Sequence, residues 1–126
     1  MTEPKGRIIV ADDDLDVCEL LDMKLRQSDY EVHIALGGMQ ALEMIRIVRP
    51  HLVILDIMMP LMSGMDVLQQ MRSESAIADI PVILMTSKRQ EKDVNTGFAL
   101  GVVDYIIKPF NLKDLVNQVQ SVISGV

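Results

Sequence analysis

The sequence predicts an α/β protein, a doubly wound parallel sheet of five strands with five helices. Three observations predict it. Five short apolar runs, most of them rich in β-branched residues, recur along the 126 residues, and segments of helical period lie between them. The third and fourth runs, LVIL and VILM, are continuously apolar rather than alternating. Continuous runs mark strands covered on both faces, as in a parallel sheet.

The strands are expected at residues 7–11, 32–35, 52–55, 81–85 and 103–107. In the first helix Val17, Leu20, Leu21 and Leu25 share one face, with the stem of Lys24 beside them. Ala41, Leu42, Ile45 and Val48 repeat that spacing in the second, which Pro50 stops. Val67, Leu68 and Met71 mark a third helix, and Val94, Phe98 and Ala99 a fourth, closed by Gly101. The last carries Leu112, Leu115, Val116, Val119, Val122 and Ile123, with Asn111 as its N-cap. Five such βα units leave no room for a second domain, so residues 1–126 are expected to form one.

Composition narrows the function classes. Aromatic residues make up only 3% of the chain while methionine reaches 10 residues, so the core is expected to be aliphatic with thioether filling. A net charge of −6 argues against direct binding of nucleic acid, which needs a basic face. The lone Cys18 excludes an internal disulfide, fits a reducing compartment and reads as a buried structural thiol. The start, MTEPKGR, is polar, and Asp56 and Pro60 break the apolar stretches well short of the ~20 residues that span a bilayer. A cytoplasmic protein without a membrane partner is expected.

The segment VADDDLDV places Asp12, Asp13, Asp14 and Asp16 within five positions. Two unit charges ~4 Å apart repel by roughly 4 kcal/mol at an effective dielectric near 20, so such a cluster needs a counter-charge or open water. In open α/β sheets, ligands bind beyond the carboxyl ends of the strands. The acids follow the first strand, Asp56 ends the third, Thr86 and Ser87 follow the fourth, and Lys108-Pro109 follows the fifth. Carboxylates, a hydroxyl and an ammonium thus gather at one rim. Asp14 reads as the start of the first helix and Asp16 as solvated surface. His33 and His51 read as surface or packing residues, and Met58, Met59, Met62 and Met65 as packing rather than a soft-metal site. Gly64 reads as a permissive backbone position in the loop after Pro60.

These residues resemble the receiver domain of the two-component response-regulator family, chemotaxis receivers included, over about residues 7–124. The likeness is carried by IIVADDD, LVILDIMMPLMSG, PVILMTS and DYIIKPF, in order and each at a strand end. Thr86 lies 30 positions after Asp56, and Lys108 lies 22 after Thr86. The resemblance implies a flavodoxin-like strand order 2-1-3-4-5, and a signalling switch that catalyses only its own phosphoryl transfer and dephosphorylation. Asp56 would accept a phosphoryl group from a histidine kinase or phosphotransfer protein. Mg²⁺, or Mn²⁺ in its place, would be held by Asp13, Asp56 and the backbone carbonyl of Met58, with Asp12 acting mainly through water. Thr86 would hydrogen-bond the phosphoryl group and Lys108 would pair with it, following a cis Lys108-Pro109 bond. Tyr105 occupies the position of the family's switch aromatic, on a face built by the fourth helix, fifth strand and fifth helix that meets a partner or output domain. Met58 and Lys88 stand where the family tunes dephosphorylation. The last helix holds one cation, Lys113, which does not match the basic dimer face of winged-helix regulators.

Two rival readings fail on spacing. An EF-hand starting at Asp12 would need glycine and an acid where Val17 and Met23 stand. A haloacid-dehalogenase-type phosphatase would need Thr or Val where Cys18 stands, and a cap domain besides.

Overall fold

The computed structural model describes residues 3–87, 97 and 99–125. Five strands, β1 (Arg7–Ala11), β2 (Glu31–Ala35), β3 (Leu52–Asp56), β4 (Val82–Thr86) and β5 (Asp104–Ile107), form one parallel sheet in the order β2-β1-β3-β4-β5. Four helices are described: α1 (Leu15–Gln27), α2 (Gly38–Val48), α3 (Gly64–Ser73) and the C-terminal α4 (Leu112–Ser124). The helix expected around Val94, Phe98 and Ala99 falls largely outside the described residues, although Gly97 and Ala99 are helical. Among the described residues no helix is long and apolar enough to cross a membrane.

Every residue of β3 and β4 is buried, which is the physical content of their continuous apolar runs. Alternate side chains feed two core layers. Ile9, Val53, Leu55, Val82 and Leu84 meet α2 and α3 through Leu42, Ile45, Leu68 and Met71. Ile8, Val10, Leu52, Ile54 and Ile83 meet α1 and α4 through Leu21, Leu25, Leu115 and Val119. Each large aliphatic side chain fully buried this way contributes about 1.5–3 kcal/mol.

The helices start and stop by local chemistry. Asp14 caps α1 by accepting from the N–H groups of Asp16 (3.0 Å) and Val17 (3.4 Å), as its place ahead of the helix predicts. Asn111 does the same for α4. Ser63 and Asp66 form a reciprocal capping box on α3. Its S-x-x-D spacing is legible in the sequence, but the box was not expected there. The α1 stripe differs from expectation. Cys18, Leu21 and Leu25 are its buried residues, whereas Leu20 is 40% exposed. Leu20 sits about 100° round the helix from Leu21, beyond the edge of the stripe, and the smaller Cys18 faces the sheet instead.

Arg72 of α3 holds three segments together. Its Nε donates to the Leu100 carbonyl at 2.7 Å, and its Nη1 to the carbonyls of Ala78 and Ile80, each at 2.9 Å. Nη2 adds a longer bond to the Gly101 carbonyl, 3.4 Å. The planar fork suits this task better than an ammonium does. Arg72→Met strips the donors from these carbonyls and is expected to destabilise the fold by about 2–4 kcal/mol, measured by urea unfolding. A loss below about 0.5 kcal/mol, the scale of an ordinary surface change, would show that the clamp is dispensable.

Candidate functional site

The strand order sets β1 beside β3, with Ala11 opposite Leu55, so the residues that follow emerge side by side at the carboxyl rim. Carboxylate oxygens of Asp12, Asp13 and Asp56 lie within 4.8 Å of one another. Asp12 and Asp56 are 1% and 6% exposed, and Asp13 is open to solvent. A group of three hard oxygen donors at this spacing, one of them reachable from water, could hold a divalent cation such as Mg²⁺.

Lys108 supplies the counter-charge. Its Nζ donates to Asp12 Oδ2 at 2.7 Å and lies 3.4 Å from Asp56 Oδ1. The tighter bond goes to Asp12. That carboxylate is held on its other oxygen by the Asp14 N–H at 3.0 Å, and its backbone carbonyl accepts from Cys18 Sγ at 3.3 Å. Burial, and then the charges of Asp12 and Asp14, push the Cys18 thiol up to about 11, in keeping with a structural rather than reactive role. Burial, and next the charge of Asp12, push the Asp56 carboxyl up to about 6 against the opposing pull of Lys108. For Lys108, burial disfavours the charge, but the hydrogen bond to Asp12 and the charge of Asp56 help outweigh it, so the ammonium is stabilised.

Thr86 closes β4, is 2% exposed, and donates from its hydroxyl to the Ser87 carbonyl at 3.1 Å. Its own carbonyl accepts from the Lys108 N–H at 2.7 Å, which ties the ends of β4 and β5 together. The Lys108-Pro109 peptide is cis. Tyr105 is half-buried against the core layer of α2 and α3. Its N–H donates to Asp104 Oδ1 at 2.8 Å and its carbonyl accepts from Gln118 Nε2 at 2.9 Å. Gln118 also donates to Asp104 Oδ2 at 2.9 Å, linking α4 to β5 in a contact the sequence did not suggest. Met59 and Met65 are buried and Met62 partly so, whereas the Met58 side chain projects into solvent. Lys88 lies outside the described residues. His51 accepts from the Arg7 N–H through Nδ1 and His33 pairs with Glu31, both away from the acids.

Gly64 corrects the sequence reading. It lies outside the left-handed region, so a permissive torsion is not why glycine stands there. The reason is space. A Cβ at position 64 would overlap the Asp56 carbonyl oxygen and come within 3.1 Å of the Ile57 Cα. The Gly64 N–H donates to the Ile57 carbonyl at 3.0 Å, folding the loop tightly behind the phosphoacceptor candidate. The left-handed residue of this loop is Leu61, with φ 68° and a fully exposed side chain.

Comparison with known proteins agrees with the fold. Residues 8–120 match the family model of the response regulator receiver domain. The DNA-binding response regulator MtrA of Mycobacterium tuberculosis strain H37Rv is 39% identical over 121 residues, covering 96% of this chain and 52% of MtrA. MtrA of Mycobacterium leprae is 40% identical over 117 residues, covering 93% and 51%. The chain thus spans about half the length of the curated relatives it matches. Among solved structures, the non-phosphorylated HemR receiver domain of Leptospira biflexa superposes with a TM-score of 0.85 at 30% identity, covering 97% of this chain and 95% of that one. The chemotaxis response regulator CheY4 of Vibrio cholerae gives 0.86 at 26% identity, covering 96% and 99%. The relatives overturn one expectation, that nucleic acid has no direct part, because the mycobacterial proteins are named as DNA-binding. Net charge constrains only the segment over which it is counted, and each of these relatives has about as much chain again. The match over residues 8–120 and the shared fold place the chain in the response regulator receiver domain family.

Proposed function

We propose that this chain is a phosphorylation-operated switch in which Asp56 accepts a phosphoryl group from a histidine kinase or phosphotransfer protein. The observation that carries the reading is the convergence of Asp12, Asp13 and Asp56 within 4.8 Å, with Lys108 bridging Asp12 and Asp56. In this reading residues 1–126 act as one receiver domain. Its phosphodonor and its single thiol both fit a cytoplasmic setting.

Asp13, Asp56 and the Met58 backbone carbonyl would hold Mg²⁺, or Mn²⁺ in its place, with Asp12 acting mainly through water. When bound, the ion supplies positive charge to the phosphoryl oxygens. Three carboxylates, one divalent cation and Lys108 are formally neutral together, so an anionic donor can approach. An oxygen of Asp56 bonds to phosphorus as the phosphorus–nitrogen bond of the donor histidine breaks and the imidazole leaves with its electron pair. Lys108 shifts its ammonium to the transferred oxygens and the Thr86 hydroxyl donates to one of them, so little proton chemistry is required. The exposed Met58 offers no polar group to orient an attacking water, which favours a long-lived phosphoaspartate.

The added group brings about −1.5 to −2 charge and new acceptor oxygens. Thr86 moving towards it frees space for Tyr105 to turn inward, which shifts the population of states on the β5–α4 face. The output is a partner protein or an output segment, and a DNA-binding output fits the names of the mycobacterial relatives.

Incubation with Mg²⁺ and acetyl phosphate is expected to add a single phosphoryl group, read by intact mass, that chelator abolishes and Asp56→Asn eliminates. A persistent adduct on Asp56→Asn, or none with any small donor, would refute the assignment. The free chain should also show the electrostatic cost of Asp56. Below its ordinary value of 3.8 the carboxyl is protonated whether the chain is folded or not, and it contributes nothing. Between there and about 6 only the unfolded chain ionises, and above that range the folded chain bears the full penalty. Stability in chelator should therefore fall as pH rises through this window. Asp56→Asn should remove that fall, leaving the variant more stable than the parent at pH ~7 but not at pH ~4 in paired urea titrations.

A further inference from the structure

Gly97 is buried, helical and placed just before the turn into β5, yet its φ lies outside the left-handed region. Torsion does not call for glycine here. Space does. A Cβ at position 97 would overlap the Tyr105 hydroxyl, lie 3.2 Å from Tyr105 Cζ and 2.9 Å from Leu84 Cδ1. The phenol end of Tyr105 therefore rests on the bare Cα of Gly97, with Leu84 beside it.

Among the described residues, the backbone on either side of this contact is tied down. The Gly97 carbonyl accepts from the N–H groups of Leu100 (3.0 Å) and Val102 (3.1 Å). The Leu100 and Gly101 carbonyls of the same turn accept from Arg72, so retreat of this backbone would break several hydrogen bonds at once. The Tyr105 backbone is held by Asp104 and Gln118. Leu84 Cδ1 is the end of a flexible side chain and can shift by a rotamer change. A phenol is rigid, so its hydroxyl leaves Gly97 mainly by rotation of the whole ring about the Cα–Cβ bond.

We propose that Gly97 is the seat of Tyr105: the missing side chain at position 97 admits the lodged ring, and a side chain there drives it out onto the β5–α4 face. Residue 97 thereby sets the resting state of that face from outside the acidic site. The consequence for signalling rests on Tyr105 being the switch residue proposed above, whereas the seat itself does not.

The chain has two tyrosines and no tryptophan, so Tyr30→Phe leaves Tyr105 as the sole source of tyrosine fluorescence. Tyr30 belongs to the opposite core layer, away from Tyr105. In that background Gly97→Ala is expected to raise acrylamide quenching of Tyr105 about twofold, as a half-buried ring becomes exposed. Thermal unfolding supplies a second readout. The loss caused by Gly97→Ala should shrink by at least about half once Tyr105→Ala removes the ring, because only neighbours in contact couple. Unchanged quenching, or the same loss with and without the ring, overturns the seat. If Gly97→Ala fails to fold alone but folds with Tyr105→Ala, the clash is with the ring and the seat stands; failure in both overturns it. Beryllofluoride, a phosphoryl mimic, separates the two readings. If it leaves Tyr105 quenching unchanged while Gly97→Ala raises it, the seat stands and the switch reading falls.

Discussion

The bond from Lys108 to Asp12 crosses 96 positions of sequence and makes the acidic rim tolerable. Two carboxylates at the ends of adjacent buried strands would otherwise face each other with little water to screen them. A charge pair this buried adds little net stability, because removing both groups from water costs about as much as their attraction returns. Its value is in placement. It draws the end of β5 towards that of β1, across β3 and β4, and sets an ammonium beside Asp56 before any ligand arrives. Asp56 is left the less favourably charged of the two buried acids, with the ammonium at 3.4 Å rather than 2.7 Å. Of the two buried carboxylates, the one proposed to react is the one that the ammonium holds less tightly.

The loops around this pair are built by close approach. Gly64 lets the chain fold against the Asp56 carbonyl, and the Ser63–Asp66 box starts α3 directly behind it. At the far end of the same helix, Arg72 grips the segment leading into β4 and the turn leading into β5. One helix thus supports the phosphoacceptor candidate at its start and the turn beside Tyr105 at its end. Such a rigid connection suits a switch, since packed elements with few arrangements transmit a local change better than compliant ones do.

Much of the fold was legible without coordinates. Continuous apolar runs in β3 and β4 announced burial on both faces, and the spacing of apolar residues placed α2, α3 and α4. Asp14 and Asn111 were readable as caps because capping is a short-range bond between a side chain and the next turn. Where local pattern met competition it failed. Spacing put Leu20 on the core face of α1, but the stripe facing the sheet runs through Cys18, Leu21 and Leu25 and leaves Leu20 beyond its edge.

By itself, then, the sequence determined the alternation of strands and helices, the strand ends, and the set of acids, hydroxyl and ammonium that follow them, because each depends on neighbours a few residues away. Only the tertiary structure decided which of these groups meet. That Lys108 bonds Asp12 more tightly than Asp56, that Gly64 is required by space rather than torsion, that Gly97 lies against the Tyr105 phenol, and that Arg72 joins three segments all depend on distances of a fraction of an ångström between distant parts of the chain. Periodicity carries no information at that scale; side-by-side packing of the strands does.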